Sequence, residues 1–143
     1  MSRGLRLSSE LDLERIRSER RERSQRAGAP PVAERDVLAA VLELLEHHPR
    51  VAWCRRFNTG ATKFTGADGK TRWVSFAFRG CSDVLGQLRP VPPNPIGAFL
   101  AIECKRDGEK PTEEQAAFLD TVSAAGGTAF VARSVDDVMR ALG

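Results

Sequence analysis

The chain has 143 residues, enough for one domain with a substantial core. Hydrophobic residues make up 41% and charged residues 29%, a globular balance, and no apolar stretch reaches the roughly 20 residues that span a bilayer. The net charge of +3, with a pI near 9.1, is mild. Cys54, Cys81 and Cys104 are odd in number and widely spaced, which argues against a disulfide framework or a zinc cluster. The charged N-terminus lacks an apolar h-region, so the expectation is a cytoplasmic protein with no membrane partner.

Residues 1–31 form an arginine-rich arm and linker. Arg15, Arg17, Arg20, Arg21, Arg23 and Arg26 alternate with Glu10, Asp12, Glu14, Glu19 and Glu22. Two readings stand side by side: an arm for nucleic acid, and a solvated helix laced by ion pairs. Ser8 or Ser9 would cap a helix to about Gln25, with a thin stripe of Leu5, Leu7, Leu11, Leu13 and Ile16. Ala27–Pro31 reads as the linker.

The apolar spacing predicts a helix from Val32 to His48, with Val37, Leu38, Val41, Leu42, Leu44 and Leu45 facing inward. Glu34 shares this stripe, either as a first-turn acid favoured by the helix dipole or as a group aimed at a polar site. His47 and His48 are adjacent near the helix end, a poor metal pair. Val51–Phe57 reads as a strand, Asn58–Lys70 as a mobile basic loop, and Arg72–Phe78 as a second strand whose Trp73 and Phe76 are read as core in preference to base-stacking platforms. Gly80–Asp83 is a turn into the strand Val84–Leu88. A proline-rich connection, Arg89–Pro95, then leads to an apolar strand that ends in Glu103-Cys104-Lys105. Thr112 and Gln115 have capping-box spacing at the start of a helix to Ala125, closed by Gly126 and Gly127. Thr128–Ala132 is a short strand, and Ser134 caps a last helix with Val135, Val138, Met139 and Leu142 inward. The order α-β-β-β-β-α-β-α predicts an α/β sandwich with a central mixed sheet flanked by helices.

Glu103 and Lys105 project from one face of their strand, and Cys104 points to the core. An ion pair capping a strand would account for the two charges. Asp83, one hairpin earlier, offers a second account. Antiparallel pairing brings it beside Glu103, and the two carboxylates with the Cys104 main-chain carbonyl make a hard oxygen set suited to Mg²⁺ or Mn²⁺. Lys105 would then face a phosphate or an attacking water. Glu34 would join from the helix as a ligand for a second ion or as an orienter of water.

These residues resemble a known family. Asp83 followed by Glu103-x-Lys105 looks like the PD-(D/E)xK nuclease superfamily. The wider series is similar to the VRR-NUC domain, the virus-type replication-repair nuclease. It runs from Glu34 through Arg56-Phe57-Asn58, Gly80-Cys81-Ser82-Asp83-Val84-Leu85-Gly86 and Ala101-Ile102-Glu103-Cys104-Lys105. Gly108, Lys110, Gln115-Ala116-Ala117-Phe118-Leu119 and Gly126-Gly127 complete it. The likeness covers about residues 32–143, and Ser82 stands where the superfamily's name has proline.

The resemblance implies a restriction-endonuclease-like fold and a divalent-metal-dependent DNA endonuclease, with branched or double-stranded DNA as partner. Small stand-alone members look like phage or prophage proteins and resemble junction resolvases, which implies a homodimer in a bacterial or phage-infected cell. It makes Asp83 and Glu103 metal ligands, Lys105 the catalytic lysine, Glu34 the helix acid and Gln115 a later site residue. Arg56, Asn58, Lys63, Lys70, Arg79, Ser82 and Arg106 flank the acids as nucleic-acid contacts. Two alternatives remain: a non-catalytic DNA-binding module on the same fold, and an exonuclease or restriction-like enzyme of the same superfamily.

Overall fold

The computed structural model describes residues 14, 18, 32–57, 60–75 and 77–143. Helix α1 spans Glu34–His47, followed by strands β1 Val51–Arg56, β2 Ala61–Thr65, β3 Thr71–Ser75, β4 Val84–Leu88 and β5 Phe99–Cys104. Helix α2 Glu113–Ala124, strand β6 Thr128–Ala132 and helix α3 Val135–Leu142 complete the order. The domain is mixed α/β. No helix among the described residues is long and apolar enough to cross a membrane. The expected helix in the arm and the linker lie outside the described residues, apart from Glu14 and Ser18, which are helical and exposed.

The main sheet has the order β1-β4-β5-β6. β4 is antiparallel to both β1 and β5, and β5 runs parallel to β6, so the sheet is mixed. β4 and β5 are central and read as continuous apolar runs because helices cover both faces. On one face Leu100, Ile102 and Cys104 join Val37, Val41, Leu44 and Leu45 of α1 and Val135, Val138 and Leu142 of α3. On the other, Leu85 and Ala101 pack with Cys81 and with Leu119 and Val122 of α2. The alternation along β5 therefore sends Cys104 to the α1–α3 layer and Glu103 to the α2 layer.

The close spacing of the central strands is set partly by Gly86. A side chain there would lie 2.4 Å from the Trp53 carbonyl oxygen on β1. Thr112 caps α2 as its spacing predicts: its hydroxyl accepts from the Gln115 N–H, and its own N–H donates to Gln115 Oε1. Ser134 makes no side-chain cap at α3. Asp137 accepts from the Arg133 N–H there instead.

The basic segment after β1 departs from the expected loop. It contains β2, which pairs with β3 in a separate two-stranded sheet, in register from Ala61↔Ser75 to Thr65↔Thr71. Trp73, expected in the core, is 68% exposed, as every residue of β2 and β3 is exposed. Phe76 lies outside the described residues.

Candidate active site

The site forms where β5 ends, and both helical layers reach it. The antiparallel register Val84↔Ile102 brings Asp83, just before β4, alongside the last residues of β5. The Cys104 N–H donates to Asp83 Oδ2 at 2.8 Å. A residue's N–H and C=O leave a strand on the same side, so the Cys104 carbonyl also faces the Asp83 side. The opposite edge of β5 is engaged with β6, where the Lys105 N–H donates to the Ala132 carbonyl.

Glu103 is completely buried. Its Oε1 accepts from Gln115 Nε2 at 2.5 Å and from Lys105 Nζ at 3.0 Å. Its Oε2 is buried and meets no N–H or O–H donor among the described residues, while the Glu103 carboxyl lies within proton-sharing reach of Asp83. A carboxylate in the interior with one oxygen orphaned is expensive, because lost hydration is not replaced. Burial first, then the neighbouring Asp83 charge and, least, a side-chain hydrogen bond with Asp83 push the Glu103 carboxyl up from 4.5 to about 7 against the opposing pull of Lys105.

Lys105 is 11% exposed and lies between two carboxylates, Glu103 at 3.0 Å and Glu34 Oε2 at 3.5 Å. Burial pulls its ammonium down. The Glu103 hydrogen bond and the charges of Glu103, Glu34 and Asp83 outweigh that and hold it above the usual lysine range. It is therefore a fixed cation at neutral pH, a donor for an anionic oxygen. Cys104 is buried with its thiol pushed up to about 12 by burial and then by the surrounding acids. That makes it an inert packing group.

Gln115 has two tasks that fix one another. Its Oε1 is taken by the Thr112 N–H in the capping box, so the amide nitrogen must face away, and it meets Glu103. Replacing that nitrogen by oxygen tests the arrangement. Gln115→Glu keeps the cap but sets a second carboxylate against Glu103. Thermal melts of this variant should show a loss of about 1–3 kcal/mol at pH 8. Most of it should be recovered at pH 5, where the two groups share a proton.

Among the described residues, no three His, Cys, Asp or Glu side chains assemble into a group that could hold a metal ion. Glu34, expected as a ligand for a second ion or an orienter of water, reaches the cluster through Lys105, 3.5 Å from its nitrogen. The pair that does assemble fits a hard divalent cation through its chemistry. Asp83 and Glu103 are oxygen donors close enough to share a proton, Glu103 Oε2 meets no donor among the described residues, and the Cys104 carbonyl faces the Asp83 side.

The flanking cations fall into three groups. Arg56, at the end of β1, is exposed, as is Arg79, which lies 3.7 Å from Glu114. Lys63 and Lys70 are carried on the detached hairpin. Arg106 is spent on Glu109 at 2.6 Å. Ser82 is corrected: it is fully buried with an unpartnered Oγ, so its side chain does not reach a nucleic-acid surface. Asn58 lies outside the described residues.

The sequence reading put Trp73 in the core and did not single out Phe64, its neighbour on the hairpin. The signal was there: Asp68-Gly69 between two runs of strand-forming residues is a hairpin turn signature. Gly69 indeed has a positive φ of 72°. Comparison with protein-family models, with curated proteins and with solved structures finds no match to this chain.

Proposed function

We propose that the chain is a divalent-metal-dependent DNA nuclease of the VRR-NUC type, with a restriction-endonuclease-like fold. The observation that carries this reading is Glu103. A wholly buried carboxylate with one oxygen held by Lys105 and Gln115, no donor on the other, and a second carboxyl, Asp83, beside it is poor design for a strand cap. It suits a ligand position for a cation.

Asp83, Glu103 and the Cys104 carbonyl would hold Mg²⁺ or Mn²⁺. When bound, the ion supplies Lewis-acid activation of water and neutralises charge on a phosphodiester. The remaining work belongs to the chain. Gln115 holds Glu103 Oε1, which leaves Oε2 as the donor toward the ion. Lys105 presents a permanent positive charge where negative charge grows on a phosphate oxygen. Glu34, at the first turn of α1, holds the ammonium from its other side and limits its swing. The exposed Arg56 and Arg79 meet the DNA backbone and fix its register. Endonuclease action on branched or double-stranded DNA, and a homodimer, belong to the same proposal.

The direct test is plasmid cleavage in Mg²⁺ or Mn²⁺ by wild type and by Asp83→Ala. Wild type is expected to nick and linearise the closed circle, and Asp83→Ala to be slower by at least about 10³-fold. That figure combines a lost ligand with the electrostatic term it supports. Equal rates, or no cleavage by wild type of closed circles, junctions or linear ends, would sink the reading. Cutting of linear ends alone would turn it into an exonuclease.

A further inference from the structure

The β2–β3 hairpin is unexplained by the site and by the core. A two-stranded ribbon standing alone is marginal in water, and here every residue of both strands is exposed. Large aromatics do not usually stand on such a surface without a partner. Phe64 is 60% and Trp73 68% exposed.

Their placement is ordered. In the register Lys63↔Trp73 and Phe64↔Arg72, the two cross-strand pairs fall on opposite faces of the ribbon. Each face therefore carries one aromatic ring and one cationic side chain. Lys63 Nζ lies 5.2 Å from the Trp73 ring centroid. Arg72 is tied to Asp68 at 2.7 Å, and Lys63, Lys70 and Arg72 against Asp68 leave the ribbon net positive.

The ribbon is also rooted at the candidate active site. At one root the Phe57 N–H donates to the Asp83 carbonyl at 2.7 Å. At the other, Phe78 packs edge-on against Phe118 of α2, and the chain runs through Gly80 directly to Asp83. Gly80 presses so closely on the Glu114 carbonyl that a Cβ would lie 2.5 Å from its oxygen. Both ends are anchored while the ribbon itself is bare.

We propose that this ribbon is a stacking element for unpaired nucleotides, with bases lying on Trp73 and Phe64 and phosphates near Lys63 and Lys70. Rings beside cations match the two halves of a nucleotide, a flat base and an anionic phosphate. Two such faces suit a ribbon flanked by bases on both sides better than one lying in a paired groove. Charge argues against a second copy of the chain, since ribbon against ribbon would set like charges together. The inference rests on the nuclease reading only in taking the polyanion to be DNA.

The test uses the full chain carrying Asp83→Ala, in EDTA, so that cleavage plays no part. Anisotropy of a labelled 20-nucleotide single strand and of the same sequence fully paired would be compared for this parent and for Phe64→Ala/Trp73→Ala added to it. The expected result is about a tenfold or greater loss of single-strand affinity with at most a twofold change for the duplex. In a parent that also carries Trp53→Phe, the fluorescence of Trp73 should be quenched by the single strand and not by the duplex. Unchanged single-strand affinity overturns the proposal, as does an equal loss for both oligonucleotides or no binding of either. A dimer that the double variant turns into a monomer, at unaltered affinity, assigns the ribbon to self-association and also overturns it. A protein that cuts DNA but ignores the aromatics sinks the ribbon alone. One that stacks bases but never cuts sinks the nuclease reading alone.

Discussion

Lys105→Ala is expected to slow metal-dependent cleavage by about 10²–10⁴-fold while DNA affinity in EDTA changes little. The split follows from where the lysine sits. With 11% of its side chain exposed and carboxylates 3.0 and 3.5 Å from its nitrogen, it adds little to the long-range field that draws DNA in. In the proposed mechanism its value is local and would arise when negative charge grows on the reacting phosphate. Exposed residues such as Arg56 would show the reverse pattern, a weaker and more salt-sensitive complex with a smaller effect on the chemical step. Lys105→Arg separates position from charge. The guanidinium keeps the positive charge but not the shape of an ammonium wedged between Glu103 and Glu34, so only partial activity should return. Single-turnover rates at saturating enzyme, beside binding curves, make the comparison. A Lys105→Ala protein that cuts at the wild-type rate would remove the lysine from the mechanism and leave it as a strand-end ion pair.

The central architecture was legible in the sequence because its signals were strong and local. The stripe from Val37 to Leu45 could only be a buried helix face, and the continuous apolar run before Glu103 could only be a covered strand. The nearness of Asp83 to Glu103 followed from a single inference, antiparallel pairing of β4 with β5, and that pairing is present. Two things were hidden for physical reasons. The strand β2 is short and sits among Gly60, Gly66 and Gly69, so the segment reads as a loop unless the Asp68-Gly69 turn signal is weighed together with pairing to β3. Exposure of Trp73 was hidden because a large aromatic in a strand signals a core by default, and only the missing cover overturns that. The unpartnered Oε2 of Glu103 was beyond reach for a third reason. A sequence can bring two acids together, but it cannot say which oxygen atoms Gln115 and Lys105 have already taken.

Glu103→Gln is expected to make the metal-free protein more stable at neutral pH and to abolish its activity. The folded-state carboxyl titrates near 7 against 4.5 for a free one, so between these values the folded protein holds a proton that the unfolded chain has lost. Stability from this group is therefore full below about pH 4.5 and is lost as pH rises through about 7, a contribution of about 3 kcal/mol at most. Glutamine stays neutral throughout and keeps the size of the side chain. Melts of wild type in EDTA should fall between pH 5 and 8, and the Glu103→Gln melts should lack most of that fall. A divalent cation reverses the order. It favours the ionised carboxylate, so the rise in Tm on adding Mg²⁺ or Mn²⁺ should be larger at pH 8 than at pH 6 and absent from the variant. If wild type and Glu103→Gln show the same pH slope in EDTA, the Glu103–Lys105 pair is a settled salt bridge, and the strain assigned to the orphaned oxygen is not there. A side chain that costs stability when empty, and whose removal relieves the fold while ending catalysis, is held in place by function.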